Sequence, residues 1–309
     1  MLKWLLIGPG DIATRRVLPA ILAEPRSALV GIVTRNAAHA EPYSVPAFTD
    51  LSEALRQSDA QAVYVATPVF LHAAQSVECL HAGRHVLCEK PMAMNPGEAH
   101  SMNIAAREAN RILGVAYYRR WYPKVNRAKV LLEAGVIGRP VLAEATCHAW
   151  FYPGDGPRAW LTDAKASGGG PLYDIACHRI DLMNYLFGAP ARVSAHRSTL
   201  VHPIDVEDNA TVMIDYQHGT RAVVDVRWHS RIARDEFRIR GTEGEMDLTP
   251  LNSPLLTYAG VIENLSSHEN LHYPLIHDFV EAVLDGADFK SSGDSAAVTD
   301  WITGEAMSR

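Results

Sequence analysis

Cysteine is scarce in this chain, and its spacing carries no pattern. Four cysteines occur in 309 residues, at Cys79, Cys88, Cys147 and Cys177, and none forms a C-x-x-C pair. Both a cysteine zinc site and a disulfide framework are thereby disfavoured, and a reducing, cytoplasmic setting is expected. Runs of Lys and Arg are also missing, and the formal net charge is −6. Nucleic acid is therefore not an expected partner. Long apolar runs are absent as well. Leu5-Leu6-Ile7, close behind Met1, is too short for a signal h-region or a membrane span, so no membrane partner is expected. The histidines (His39, His100, His148, His196 and His229 among them) show no metal-ligand spacing, and no metal is expected. Internal repeats and low-complexity segments are not seen.

With 48% apolar and 21% charged residues, the chain has the composition of an ordinary globular protein, and its length suits two domains. Lys3-Trp4-Leu5-Leu6-Ile7 reads as a buried strand. Gly8-Pro9-Gly10-Asp11-Ile12-Ala13 follows at once, and a helix pattern then runs through Val17, Leu18, Ile21 and Leu22. This is G-x-G-x-x-A between a strand and a helix, the setting in which it marks a dinucleotide site. The first glycine permits the tight turn, the second lets a pyrophosphate approach the backbone, and Ala13 packs closely on the strand. The second strand, Ala28 to Val33, ends in Thr34-Arg35. Where an NAD site usually places an acid for the ribose 2′-hydroxyl, no acid occurs until Glu41. Arg35 is suited instead to a 2′-phosphate, which tilts the expectation towards NADP, with NAD as the alternative. A plain surface role for Arg35 is the competing reading.

Further strands at Ala62-Val63-Tyr64-Val65-Ala66, His85-Val86-Leu87-Cys88 and Leu113 to Tyr117 alternate with helices, predicting a parallel sheet wound on both sides. Thr67-Pro68 closes one strand and Glu89-Lys90-Pro91 follows another. Ligands of such sheets sit beyond the carboxyl ends of the strands, where Lys90 falls.

Ser167-Gly168-Gly169-Gly170-Pro171 reads as a flexible loop opening a helix, with Pro171 in its first turn. At 100° per residue, Leu172, Ile175, Ala176, Ile180, Met183, Leu186 and Phe187 gather on one side. Asp174, His178 and Asp181 gather on the other, within roughly 60° of one another. On this stretch alone the pattern fits a catalytic face, the solvated face of an amphipathic helix, or an Asp-His-Asp metal site.

The ordered set decides among these. Gly8-x-Gly10-x-x-Ala13, Ala66-Thr67-Pro68 with His72, Glu89-Lys90-Pro91, Arg120-Trp121-x-Pro123, Gly135-x-Ile137-Gly138 and Gly168-Gly169-Gly170-Pro171-Leu172-x-Asp174-x-x-x-His178-x-x-Asp181 together resemble the glucose-fructose oxidoreductase, inositol dehydrogenase and MocA family of pyridine-nucleotide oxidoreductases. The resemblance covers nearly the whole chain. It implies an α/β fold: an N-terminal Rossmann domain, residues 1–117, and a C-terminal α+β domain, 118–309, with a large, open, mostly antiparallel sheet. One face of that sheet is expected to join subunits into a homodimer or homotetramer. Strands at Val141 to His148, Arg192 to Val201, Ala210 to Tyr216, Ala222 to Trp228, Glu236 to Arg240 and Glu245 to Leu248 fit it, and several alternate in polarity.

The resemblance also assigns catalytic roles to Lys90, Asp174 and His178, and a Lys-Pro bond that is often cis. His178 is the natural general base, since imidazole titrates nearest neutral pH. Lys90 would stabilise alkoxide character, and Asp174 would orient the substrate or His178; Asp181 is given a structural role. Cofactor contacts are expected from Gly8, Gly10, Asp11, Ile12, Ala13, Thr34, Arg35, Thr67, Pro68, His72, Glu89 and Lys90. Substrate contacts are expected from Tyr118, Arg120 and Trp121 beside Lys90, Asp174 and His178, with a core position as the competing reading of Trp121; Arg158, Trp160 and Lys165 either line the pocket or are solvated loop residues. Ala176 and Cys177 depart from the family's usual Gly and aliphatic residue, and only small packing changes are expected there. No Tyr-x-x-x-Lys pair is present, against a short-chain dehydrogenase, and no Cys/His cluster, against a zinc alcohol dehydrogenase. The leading expectation is hydride transfer between NAD(P) and a sugar, polyol or related hydroxyl compound. A redox-neutral glycosidase with a retained nicotinamide and a non-catalytic NADP sensor are the alternatives.

Overall fold

A computed structural model describes every residue except Pro153, Asp155, Pro157 and Arg309. The chain forms two compact units: Met1–Tyr118 with His268–Ala297, and Arg119–Ser267 with Val298–Arg309. The last helix, Gly293–Met307, is divided between them.

Six parallel strands make the sheet of the first unit: β1 (Leu2–Ile7), β2 (Ser27–Val33), β3 (Ala47–Phe48), β4 (Ala62–Val65), β5 (His85–Cys88) and β6 (Leu113–Val115). Their order is β3-β2-β1-β4-β5-β6. The strands read as unbroken apolar runs because both faces are covered; all four residues of β4 are fully buried. The helices between them start where the sequence supplies caps. Asp50 accepts from Glu53 N (2.7 Å) ahead of helix Leu51–Gln57, and Asn95 accepts from Glu98 N (3.0 Å) ahead of helix Pro96–Glu108. Chain order reverses between β1 and β4, the switch point at which such sheets bind ligands. Register brings the strand ends level. Ile7 pairs with Val33 and Val65, and Val65 with Cys88, so Gly8, Thr34, Ala66 and Glu89 leave the sheet along one edge.

The closing segment departs from the expected division at 117/118, which put everything after it in the second domain. Helix Tyr273–Asp285 buries Leu275, Ile276, Phe279 and Val280 in the first unit, where Phe279 packs on Trp4 at 5.3 Å between ring centroids. Each such side chain contributes about 1.5–3 kcal/mol of burial, which ties the segment to β1 rather than to its neighbours in sequence.

The second unit is an eight-stranded sheet of β7 (Pro140–Trp150), β8 (Pro190–Ser198), β9 (Asn209–Tyr216), β10 (Arg221–Arg227), β11 (His229–Gly241), β12 (Glu245–Asp247), β13 (Leu255–Tyr258) and β14 (Val261–Asn264). The order is β14-β13-β12-β11-β7-β10-β9-β8, antiparallel except for β7 with β10. Alternation is clean in β10: Ala222, Val224 and Val226 are fully buried, and Val223, Asp225 and Arg227 between them are not. A π-helical turn, Leu172–Ala176, runs into helix Cys177–Phe187 and packs on β10 from the buried side. The other face carries ion pairs such as Arg192 and Arg221 on Asp215 (both 2.6 Å).

Candidate functional site

In the first unit the site is built along the carboxyl edge of the sheet. Gly8 has φ +78°, and a β-carbon there would press on the Ala66 carbonyl and the Thr67 methyl at 2.9 Å. Gly10 is the opposite case: a β-carbon would meet nothing of the protein within 4 Å. Its bare Cα therefore borders open space at the helix entrance, as close approach of a pyrophosphate requires. Thr14 N closes the first turn on Gly10 O at 3.0 Å, Ala13 is fully buried and Ile12 half-buried, while Asp11 is exposed and paired with Arg15 at 3.4 Å. At the end of β2, Thr34 is buried and Arg35 exposed. These residues fit a dinucleotide.

Beyond β4, the Thr67 hydroxyl donates to Gln75 Oε1 at 2.7 Å, with Thr67 and Pro68 half-buried. His72, expected to contact the cofactor, turns its ring into the protein. It is 1% exposed, with Nδ1 2.9 Å from Pro91 O and Nε2 2.8 Å from Thr67 O. The ring spans two loops from behind, and burial pushes it towards the neutral form, which has one N–H to share between two carbonyls. Glu89 is likewise buried rather than available to a ligand. It accepts from Tyr64 OH at 2.8 Å and from Lys90 N at 3.2 Å, and His272 Nε2 lies 3.8 Å away. Burial alone would raise its carboxyl; His272, Lys90 and the Tyr64 hydroxyl together hold it below the usual range. Lys90 itself is half-buried and precedes a cis bond to Pro91. Tyr118 stacks on His272 at 4.6 Å. His272 was invisible to motif reasoning, since it arrives on the returning segment.

In the second unit, Asp174 lies in the π-helical turn, and Arg158 Nη2 meets its Oδ2 at 3.0 Å. That guanidinium also stands 4.6 Å over the Phe151 ring. Trp160 and Lys165 are exposed and Trp121 is half-buried. His178 is buried at 6% exposure, in a helix buried nearly all round. The carboxylates take separate partners, because Asp181 is sealed in a two-pronged pair with Arg120, whose Nε lies 2.9 Å from Oδ2 and Nη2 2.5 Å from Oδ1. Arg120, expected to contact substrate, is 2% exposed with its fork on Asp181. Sequence reasoning also missed Glu207. Its Oε1 accepts from Leu172 N at 3.0 Å, capping a helix whose preceding Pro171 supplies no side-chain cap. Burial pushes the Glu207 carboxyl up, against the pull of the Gly170 and Leu172 N–H groups. Among the described residues no group of three His, Cys, Asp or Glu could hold a metal ion, and the four cysteines are free. No helix there is long and apolar enough to cross a membrane.

Two family models match this chain. Residues 2–117 match the oxidoreductase family with the NAD-binding Rossmann fold, and residues 125–247 the GFO/IDH/MocA C-terminal domain. The chain belongs to the GFO/IDH/MocA oxidoreductase family. It is 32% identical over 252 residues to 1,5-anhydro-D-fructose reductase of Ensifer adhaerens, covering 80% of this chain and 75% of that one. Levoglucosan dehydrogenase of Pseudarthrobacter phenanthrenivorans is 31% identical over 224 residues, 64% of this chain and 57% of that one. A solved levoglucosan dehydrogenase in complex with NADH superposes with TM-score 0.89 at 26% identity, covering 99% and 96%. GFO/IDH/MocA membership makes this chain an NAD-binding oxidoreductase, and the expected fold of a parallel Rossmann sheet plus a separate, mostly antiparallel sheet is the one observed.

Proposed function

We propose that this oxidoreductase moves a hydride between a nicotinamide cofactor, NADP in preference to NAD, and a ring or chain hydroxyl of a sugar or polyol. The observation that carries the reading is the level carboxyl edge with the bare Gly10 at its helix entrance. Sugar chemistry among the relatives, anhydrofructose reduction and levoglucosan oxidation, supports the substrate class. The NADP preference is supported by an exposed Arg35 and by the lack of any acid between β2 and Glu41. Gly8, Gly10, Ile12, Ala13, Thr34, Arg35, Thr67, Pro68 and Lys90 would hold the dinucleotide. Bound nicotinamide would supply the hydride acceptor or donor. His178 removes the hydroxyl proton as the carbonyl forms and returns it in the reverse direction. The Lys90 ammonium stabilises the oxygen while it carries alkoxide character, and Asp174 orients the reacting hydroxyl. Tyr118 and Trp121 offer ring faces to the sugar. Subunits pair through the open face of the β7–β14 sheet into a dimer or tetramer, and the four free cysteines suit a cytoplasmic protein.

The test is absorbance in the reduced-nicotinamide band with levoglucosan, 1,5-anhydro-D-fructose, inositols and aldoses, in both directions. A change with one of them, lost on the order of 10²-fold or more in Lys90→Met and His178→Asn while nucleotide binding persists, is the expected result. A flat trace with glycoside consumed would point instead to a redox-neutral glycosidase. Nucleotide binding with no turnover of any compound would favour a sensor.

A further inference from the structure

We infer that His39 is a second anion-binding group, beside Arg35, for the 2′-phosphate of the dinucleotide. The inference rests on the NADP preference proposed above and adds to it a residue without motif status. The chain turns tightly after β2. Asn36 N donates to Thr34 Oγ1 at 3.2 Å, and Asn36 Oδ1 accepts from Ala38 N at 3.1 Å, capping a 3-10 turn, Ala37–His39. That turn carries His39 back to the strand end, where its Nδ1 lies 3.1 Å from Thr34 Oγ1. Thr34 is buried at 9% exposure, so the anchoring hydroxyl belongs to the sheet edge rather than to a free loop.

The tether takes Nδ1 and leaves Nε2. The Thr34 hydroxyl donates to Asn36 O at 3.2 Å, so a neutral ring donates from Nδ1 to Thr34 Oγ1 and keeps a lone pair on Nε2. As a cation the ring carries a proton on each nitrogen, and its Nε2–H is then a charged donor for an anion. His39 and Arg35 are exposed, and among the described residues His39 Nε2 has no partner and Arg35 makes no ion pair. Two donors capable of positive charge thus stand on one six-residue turn, Thr34 to His39, ahead of the first acid, the exposed Glu41. A ribose 2′-hydroxyl finds no carboxylate on this turn, whereas a phosphate finds a planar guanidinium and an imidazole N–H, both able to make charge-assisted bonds.

The test is fluorescence titration of the intact protein with NADPH and NADH, with 2′,5′-ADP and 5′-AMP as competitors. The native chain is expected to favour NADPH and 2′,5′-ADP. His39→Ala should weaken NADPH by about threefold to tenfold and leave NADH unchanged, and Arg35→Ala should weaken NADPH by about tenfold or more. Thr34→Val should weaken NADPH at least as much as His39→Ala, because its hydroxyl holds both the imidazole and the Asn36 turn. NADPH affinity unchanged in His39→Ala, or NADH affinity lost equally, overturns the role of His39. A native chain that prefers NADH overturns it together with the NADP preference, but leaves the oxidoreductase reading standing. Binding of neither nucleotide by folded, cofactor-free protein overturns that reading too.

Discussion

The backbone carbonyl of Glu207 occupies the space into which a β-carbon on Gly170 would project. The same glutamate reaches past that contact to accept the Leu172 N–H at 3.0 Å, so one residue both demands a glycine before the Asp174–His178 helix and caps it. Gly170→Ala must push two backbone segments apart and is expected to cost about 3 kcal/mol. Glu207→Ala loses only the cap, about 1–2 kcal/mol, and Glu207→Gln, which keeps an acceptor oxygen, should lose less. Urea unfolding midpoints of the three variants check this order; a Gly170→Ala protein as stable as the native one contradicts it.

Gly8 and Gly10 separate folding from binding within one motif. Gly8 is held at φ +78° against Ala66 and Thr67, whereas Gly10 faces nothing of the protein. Gly8→Ala is therefore expected to destabilise by at least about 1–2 kcal/mol. Gly10→Ala should leave the melting temperature within a degree or two and weaken nucleotide binding about tenfold or more, because its methyl group intrudes where the pyrophosphate approaches. Paired thermal melts and nucleotide titrations read both halves.

These contrasts show where sequence patterns carry information. The Rossmann unit was legible because its signals are local: apolar runs of strand length and a glycine turn between a strand and a helix. Lys90 and Thr34 could be placed at the carboxyl edge for the same reason. What escaped depends on partners far along the chain. The glycines before Pro171 read as freedom, yet Gly170 answers to Glu207, 37 positions later. Arg120 read as a sugar contact until Asp181, 61 positions away, claimed its guanidinium. His72 read as a cofactor residue because it follows Thr67-Pro68, but its ring turns inward to Pro91. Helix Tyr273–Asp285 packs through Phe279 on Trp4, a surface that no local signal names.

Asp208 gives the second unit an acid-sensitive joint. Its carboxylate accepts from the backbone N–H groups of Leu200 (3.0 Å), Val201 (2.7 Å) and His202 (3.0 Å) and from the Asn209 amide. Burial alone would raise this carboxyl, but the ring of donors outweighs it and lowers it to about 2. A folded-state value below the unfolded one means stability that is present above about pH 4 and lost as pH falls towards 2, worth about 2 kcal/mol. The native protein should lose more unfolding free energy between pH 5 and pH 2.5 than Asp208→Asn, whose curve lacks this component. Parallel slopes for the two proteins would count against the assignment.

Arg120 and Asp181 test whether a buried pair supports the fold or only tolerates burial. Their side chains are 3% and 1% exposed, so removing either partner leaves a buried charge without its counter-ion, and the Thr299 hydroxyl beside Asp181 is no substitute for one. Arg120→Met and Asp181→Leu should each cost about 3–5 kcal/mol. With both changes together no charge is stranded, and much of the loss should return, since desolvation of the native pair consumes most of its attraction. The double variant is therefore expected to be more stable than either single variant in urea unfolding. If the losses simply add, the two side chains do not act as the unit that their two-pronged geometry indicates.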